Sequence, residues 1–401
     1  MDAGRSDGNV KEPPSTLSRR GFLKGAGAVG LGIAGALSTA AGRAPSAVTR
    51  RAATPSQSTA KLGVFAQPAG AETSYLQAFT DFQAEIDRPV AVYRSYRSWG
   101  KPIFNSTING ILNPEKNNFW PPPEFYLSFH AFTDKKGTKC ISWSQIAEGG
   151  CYDGEIDSWA GELDKLLSES PTGHAYVAFH HEMENEAGTP PDSCREIGDA
   201  CGSADDFKAA YWYFRARMQD DLTSLNGWPS SAITWIVTYM GNTFRGMHGG
   251  PDPWWPSSVD PSYIAEVPDD HLVGVDLYNR YACHNKPWYT LEYLTDGRKG
   301  PGPQAYAVDK GRNLFIGECG TVEAVSNCGS GQVCYQDAQP VNCKAQWFSD
   351  ALTLMEGWGN LEAFCYSQVS GFNEGDFTIG TSPDSLAAFQ ALANDPFFAE
   401  S

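Results

Sequence analysis

Eight short apolar runs, separated by stretches of helical patterning, constrain this 401-residue chain more than any other feature. They cover 62–66, 89–93, 125–129, 175–179, 233–238, 272–277, 314–317 and 361–366, and are rich in Val, Ile, Phe or Tyr. Each is four to six residues long, the length of a strand buried on both faces. Between them, apolar residues recur at spacings of three and four, as in Leu76, Phe79, Phe82, Ile86 and in Ile156, Trp159, Leu163, Leu166, Leu167. Further helical stretches fall at 205–225, 344–358 and 383–393. Strands alternating with helices predict a parallel α/β sheet, and eight of them predict a closed (β/α)8 TIM barrel with long strand-to-helix loops. The rival is an open doubly wound sheet. It is disfavoured because the first strand–helix turn, Gln67-Pro68-Ala69-Gly70-Ala71, lacks the glycine pattern of a dinucleotide site.

Charge narrows the partners. The chain carries 30 Lys+Arg against 47 Asp+Glu, a formal net charge of -17. Residues 1–51 hold eight of the basic residues and three of the acidic ones, leaving 22 against 44 in the remainder. Such a body repels phosphate backbones and anionic membrane surfaces, whereas a neutral partner such as a sugar chain is not penalised. Neither nucleic acid nor, once the leader is removed, membrane is an expected partner, and the mature protein is expected to be a monomer.

The first residues read as an address. Ser18-Arg19-Arg20-Gly21-Phe22-Leu23-Lys24 precedes a Gly- and Ala-rich apolar stretch over 25–41, the arrangement of a twin-arginine export signal. The stretch is shorter than the ~20 apolar residues that a membrane span needs. The expected organisation is a signal peptide at 1–45, a flexible Ser/Thr/Ala-rich leader at 46–60 and one catalytic domain at 61–401, secreted after export. Ten cysteines suit that oxidising destination. Loop spacing predicts bridges Cys140–Cys151 and Cys194–Cys201. Cys328, Cys334 and Cys343 lie in another polar segment, and Cys283, Cys319 and Cys365 in or beside apolar runs, as bridges or buried thiols.

In a parallel barrel, functional groups collect where the strands run out into the following loops. Run four ends in His180-His181-Glu182-Met183 and run seven in Gly317-Glu318-Cys319-Gly320. Run three ends at His130, run six passes through Asp276 to Tyr278, and run two is followed by Arg94-Ser95-Tyr96. Two glutamates at the mouths of strands four and seven meet the requirement of double-displacement glycoside cleavage: one protonates the leaving oxygen and the other attacks the anomeric carbon. Their carboxyls are then expected about 5–5.5 Å apart, with the acid's pKa raised and the nucleophile ionised. A zinc-peptidase H-E-x-x-H is broken by Asn185, and no G-x-S-x-G elbow occurs. No metal or cofactor is expected.

The His-Glu-Met at strand four and the Glu-Cys-Gly at strand seven resemble glycoside hydrolase family 26, within the clan of retaining (β/α)8 glycosidases. The resemblance implies Glu182 as acid/base, Glu318 as nucleophile, His181 as the histidine before the acid, and His130 lining the subsite beside the scissile bond. It implies Tyr278 as hydrogen-bond donor to the nucleophile. It further implies a β-linked polysaccharide substrate, first a β-1,4-mannan cut endo, or else a β-glucan or β-xylan. The family's tryptophans after the strand-four glutamate and on strand eight are replaced here by Glu184-Asn185 and by Cys365-Tyr366. Sugar stacking is therefore expected from Tyr366, Trp254, Trp255 or Trp288. A reading from another class is a non-catalytic carbohydrate-binding barrel, which would have no need of both glutamates.

Overall fold

The computed structural model describes residues 59–68, 74–118, 120–133, 139–190, 196–256, 271–280, 288–297, 300–323, 343–370 and 375–398. Strands β1 (Lys61–Ala66), β2 (Val92–Ser98), β3 (Glu124–His130), β4 (Ala175–Phe179), β5 (Ile233–Met240), β6 (Leu272–Asn279), β7 (Leu314–Thr321) and β8 (Leu361–Gln368) pair in sequence order. All pairings are parallel, and β8 closes on β1, as expected of a (β/α)8 barrel. The helices are α1 (Tyr75–Ile86), α2 (Ser106–Ile111), α3 (Trp143–Glu148), α4 (Asp153–Glu169), α5 (Ala204–Asn226), α6 (Leu291–Thr295), α7 (Pro303–Asp309), α8 (Cys343–Glu356) and α9 (Pro383–Ala393). None among the described residues is long and apolar enough to cross a membrane.

Local chemistry sets the helix ends. The Ser74 hydroxyl accepts from the Gln77 amide to start α1, and Ser203 with Asp206 forms a reciprocal capping box at the start of α5. Alternation along each strand then separates two cores. Tyr93, Phe129, Val177, Trp235, Ile316 and Phe364 pack outward in the large core that includes the helices. Val92, Tyr126, Tyr176, Ile236, Phe315 and Cys365 form a second cluster with their strand neighbours. The N-terminal rim is closed by polar groups: Lys61 binds Glu124 at 2.7 Å and the Tyr176 hydroxyl at 2.8 Å, while Tyr176 donates to Glu362 at 2.7 Å.

Two expectations are corrected. The second strand runs Val92–Ser98, later than the apolar run 89–93, because its continuation Arg94-Ser95-Tyr96 is polar. Cys140 bridges Cys201, 61 residues away, rather than Cys151, so Cys201 is not paired with Cys194. The cause is that tertiary structure, not loop length, brings them together: Cys140 and Gly198 exchange backbone hydrogen bonds, and Cys201 lies beside Trp143. Cys151 is itself disulfide-bonded. Cys194 and its loop fall outside the described residues, as do Cys283, Cys328, Cys334 and the expected signal and leader up to residue 58. Cys319 and Cys365 are buried free thiols.

The Cys140–Cys201 tie closes a long loop and should contribute about 2–4 kcal/mol. Cys201→Ser is expected to lose that much in urea unfolding under oxidising conditions, and peptide mapping without reductant should recover the 140–201 pair. A recovered 140–151 pair would contradict the structure.

Candidate active site

The C-terminal mouth of the barrel is organised around a guanidinium. Arg94 on β2 is wholly buried and forms a two-pronged pair with Asp276 on β6, at 3.2 and 3.3 Å. The same side chain lies 3.0 Å from Oε1 of Glu318 on β7. Rings flank it, Tyr126 at 4.5 Å and Tyr96 at 4.8 Å from the guanidinium carbon to the ring centroid. Gly317 is obligatory here, since a Cβ at that position would lie 2.2 Å from Arg94 Nη1 and 2.8 Å from Asp276 Oδ1. The β6–β7 register shifts at this point: Val275 opposes Ile316, but Asp276 opposes Glu318. The bulge absorbs Gly317 and re-aims Glu318.

Glu318 receives three donors. Tyr96 donates to one carboxylate oxygen and Tyr278 to the other, while Arg94 completes the set. The Tyr278 oxygen lies 2.8 Å from Ser367 on β8. Burial, followed by the charge of Glu318, holds the Tyr278 phenol well above its ordinary pKa, so it stays a donor. Asp276 is pushed up by burial and by the charges of Glu318 and Glu182, against the pull of Arg94.

Glu182 reaches the mouth on a strained turn after β4. His180 and Glu182 both adopt left-handed backbone, with φ of 50° and 52°, at a cost of about 1–3 kcal/mol each. The turn is held by hydrogen bonds from the His180 amide to Phe129 O (2.7 Å) and from the Glu182 amide to Thr238 O (2.8 Å). His180 faces away from the mouth and is fully buried. Its Nδ1 accepts from the Trp143 indole at 3.0 Å and the Ala131 amide at 3.3 Å, so the ring proton sits on Nε2, 3.6 Å from Glu186. His181 turns inward instead, with Nε2 4.0 Å from Glu318 and its ring edge-on to His130 at 4.1 Å. Burial pushes both His130 and His181 well below the usual histidine range, leaving neutral rings.

The Glu182 carboxyl is pushed up to about 8 by desolvation, then by the charges of Glu318 and Glu184, opposed by Arg94 and Arg280. Glu184 is buried, accepting from the Met240 amide at 2.9 Å and from the Thr243 hydroxyl, and is itself raised to about 7, chiefly by burial. Asn185 donates to Glu182 at 3.3 Å. The site therefore pairs a carboxyl raised to about 8 with one that accepts from three donors. A cleft of about 370 Å³ opens beside it, lined by Glu182, Asn185, Asn242, Arg245, Asp276, Tyr278, Arg280 and Tyr289 among others. His181, Asp276 and Glu318 bring ligand-type atoms within 4.8 Å of one another, but the Arg94 guanidinium already binds both of these carboxylates.

Glu182, Glu318, His130, His181 and Tyr278 thus gather at one mouth. The expected stacking residues do not. Tyr366 is fully buried on the outward face of β8 against Phe348 and Phe389, with its hydroxyl donating to Phe377 O at 2.7 Å. The period-two alternation of β8 that points Ser367 inward points Tyr366 outward. Trp254 and Trp255 are buried in the outer core, and Trp288 is half-buried against it. Its neighbour Tyr289 lines the cleft. Arg94, Tyr96, Asp276 and Arg280 carry the electrostatics, and their signal in the sequence was a charged or phenolic residue at a strand end.

Removing the central cation isolates its buried partners. Arg94→Gln should cost about 3–5 kcal/mol in urea unfolding at pH 8. Carboxyls with folded pKa values above their unfolded ones are less unfavourable when protonated, so the deficit relative to wild type should shrink as pH falls from 8 to 5. A deficit independent of pH would contradict the charge assignment.

No protein-family model and no curated protein sequence matches this chain. Solved structures do. A family 26 β-mannanase from Bacteroides ovatus superposes with a TM-score of 0.50 at 13% identity, covering 85% of this chain and 90% of that one. An endo-β-1,4-mannanase from Cellulomonas fimi gives 0.46 at 15% identity over 86% and 72%. An endo-β-1,4-glucanase from Xanthomonas axonopodis gives 0.46 at 12% identity over 83% and 99%. At these identities the likeness is one of architecture, and the first comparison carries it: the chain has a fold like that of glycoside hydrolase family 26.

Proposed function

We propose that this protein is a secreted, retaining glycoside hydrolase that cuts a β-linked polysaccharide from within, the first candidate backbone being a β-1,4-mannan. The observation that carries the reading is the asymmetry of the two carboxyls, Glu318 held by Arg94, Tyr96 and Tyr278, and Glu182 raised to about 8. The fold likeness to a β-mannanase agrees with it. Glu318 attacks the anomeric carbon while Glu182 gives its proton to the departing glycosidic oxygen, leaving a glycosyl ester on Glu318. Glu182, now a carboxylate, takes a proton from water as that water breaks the ester, restoring both groups. Neutral His130 and His181 can hydrogen-bond sugar hydroxyls without adding charge, and Tyr278 keeps the nucleophile oriented. No metal or cofactor enters. Export through the twin-arginine route, with residues 1–45 removed and 61–401 as the catalytic unit, accords with the Cys140–Cys201 disulfide.

Glu318→Ala is expected to abolish turnover on every β-glycan and aryl β-glycoside. Glu182→Ala should impair polysaccharides by about 10²–10⁴-fold while sparing activated aryl leaving groups, which need little protonation. Azide should rescue the Glu182 variant with retained configuration and the Glu318 variant with inverted configuration, as read by proton NMR. Identical stereochemistry in both would overturn the roles.

The pH profile gives a second test. Activity requires protonated Glu182, so kcat/KM of the wild type should fall on the alkaline side with a midpoint near 8. Glu184→Gln removes a negative charge that raises Glu182, and should move that limb to lower pH. A limb unmoved by the substitution would show that Glu184 does not tune the acid.

A further inference from the structure

Among its described lining residues, the cleft beside Glu182 carries two guanidiniums and two aromatic rings, Tyr278 and Tyr289. Arg245, from the loop after β5, and Arg280, just beyond β6, both line it. We propose that this cleft takes a β-glycan bearing a carboxylate, a uronic acid substituent, with Arg280 and Arg245 as the groups that recognise it. The proposal rests on the glycosidase reading and names its substrate class.

Neutral sugars are held by flat aromatic faces and uncharged hydrogen-bonding groups. Among the described lining residues, both rings are engaged by neighbours. The Tyr289 ring stacks on Tyr293, 4.4 Å between centroids and 14° between planes. The Tyr278 ring has Phe377 at 5.1 Å and the Arg280 guanidinium at 5.0 Å. Of the indoles expected to supply a platform, Trp254 and Trp255 are buried in the outer core and Trp288 is half-buried against it. Beside Asn185 and Asn242, the wall presents two guanidiniums.

Both guanidiniums are pre-oriented. Arg245 lies over Tyr293 at 4.5 Å and Tyr289 at 5.3 Å, and donates to the Tyr293 carbonyl at 2.6 Å. A planar fork fixed against rings matches a carboxylate's two oxygens, with less ordering cost than a free side chain. Arg280 stands over the ring of the same tyrosine that donates to Glu318, and its charge is felt at Glu182. A carboxylate at Arg280 would therefore sit close to the bond being cut.

The charge of the whole protein refines the class. A chain of net charge -17 repels a polyanion at long range, whereas local pairing survives within a Debye length of about 8 Å at physiological salt. The fitting substrate is a neutral β-glycan backbone with sparse uronic acids, not a homopolymer of them.

The experiment compares β-1,4-mannan and β-1,4-xylan oligosaccharides bearing glucuronic acid with the same oligosaccharides after carboxyl reduction. Wild-type kcat/KM should favour the acidic form by tenfold or more, with the preference shrinking as salt rises. In Arg280→Gln and Arg245→Gln the acid-to-reduced ratio should fall towards one. Calorimetric binding of the same pairs to Glu318→Gln reads recognition without turnover and should show the same preference. Equal cleavage and equal binding of the two forms overturns the uronate proposal and leaves the glycosidase reading standing. Preferential binding of the acidic form without wild-type cleavage of any glycan or aryl glycoside overturns the glycosidase reading and keeps the recognition.

Discussion

One buried guanidinium faces three carboxyls at the mouth of this barrel, and the rest of the site follows from that imbalance. Arg94 neutralises part of the charge on Asp276 and Glu318 by direct contact and reaches Glu182 only through space. Burial and mutual repulsion push both Asp276 and Glu182 up, against the pull of Arg94. Hydrogen-bond donors are shared unevenly between the two glutamates. Glu318 accepts from Tyr96, Tyr278 and Arg94, whereas Glu182 accepts from the Asn185 amide and lies in a desolvated position. The proposed division of labour between acid and nucleophile rests on unequal hydrogen bonding around chemically identical groups. The backbone accommodates the cation as well: β7 spends one residue on a bulge, and that residue has no side chain.

The two ends of the barrel treat polarity differently. At the N-terminal rim Lys61, Glu124, Tyr176 and Glu362 satisfy one another around a single lysine, and none of the four lines the cleft beside Glu182. At the C-terminal mouth the carboxyls outnumber the cation that touches them, and two residues hold left-handed backbone. Charge imbalance is concentrated where reaction is proposed, and balance where the fold needs only closure.

The barrel was legible in the sequence because its strands are buried on both faces and read as unbroken apolar runs. The runs located all eight strands but stopped short on several. The observed β6, β7 and β8 extend two to four residues beyond them, to Asn279, Thr321 and Gln368. Those extensions carry Tyr278, Glu318 and Ser367, so an apolar run marks the part of a strand inside the core and the polar continuation marks the site. Strand β2 is the extreme case, with Arg94 and Tyr96 pointing to the mouth and Tyr93 to the helices. Tyr366 was misread for want of the same alternation, since its neighbour Ser367 is the one that meets Tyr278. The disulfide was not legible, because Cys140 and Cys201 become neighbours only when the loops after β3 and β4 are laid side by side.

That tie joins the loops around Trp143. The Trp143 amide donates to Cys201 O at 2.9 Å, and its indole holds His180, which sets the left-handed turn that presents Glu182. Of the cysteines on the barrel strands themselves, Cys319 and Cys365, neither is oxidised. The strands thus pair by hydrogen bonds alone, whereas the loops flanking the Glu182 turn are tied covalently. Reduction would therefore release the loops beside Trp143 while breaking no link on a strand of the barrel.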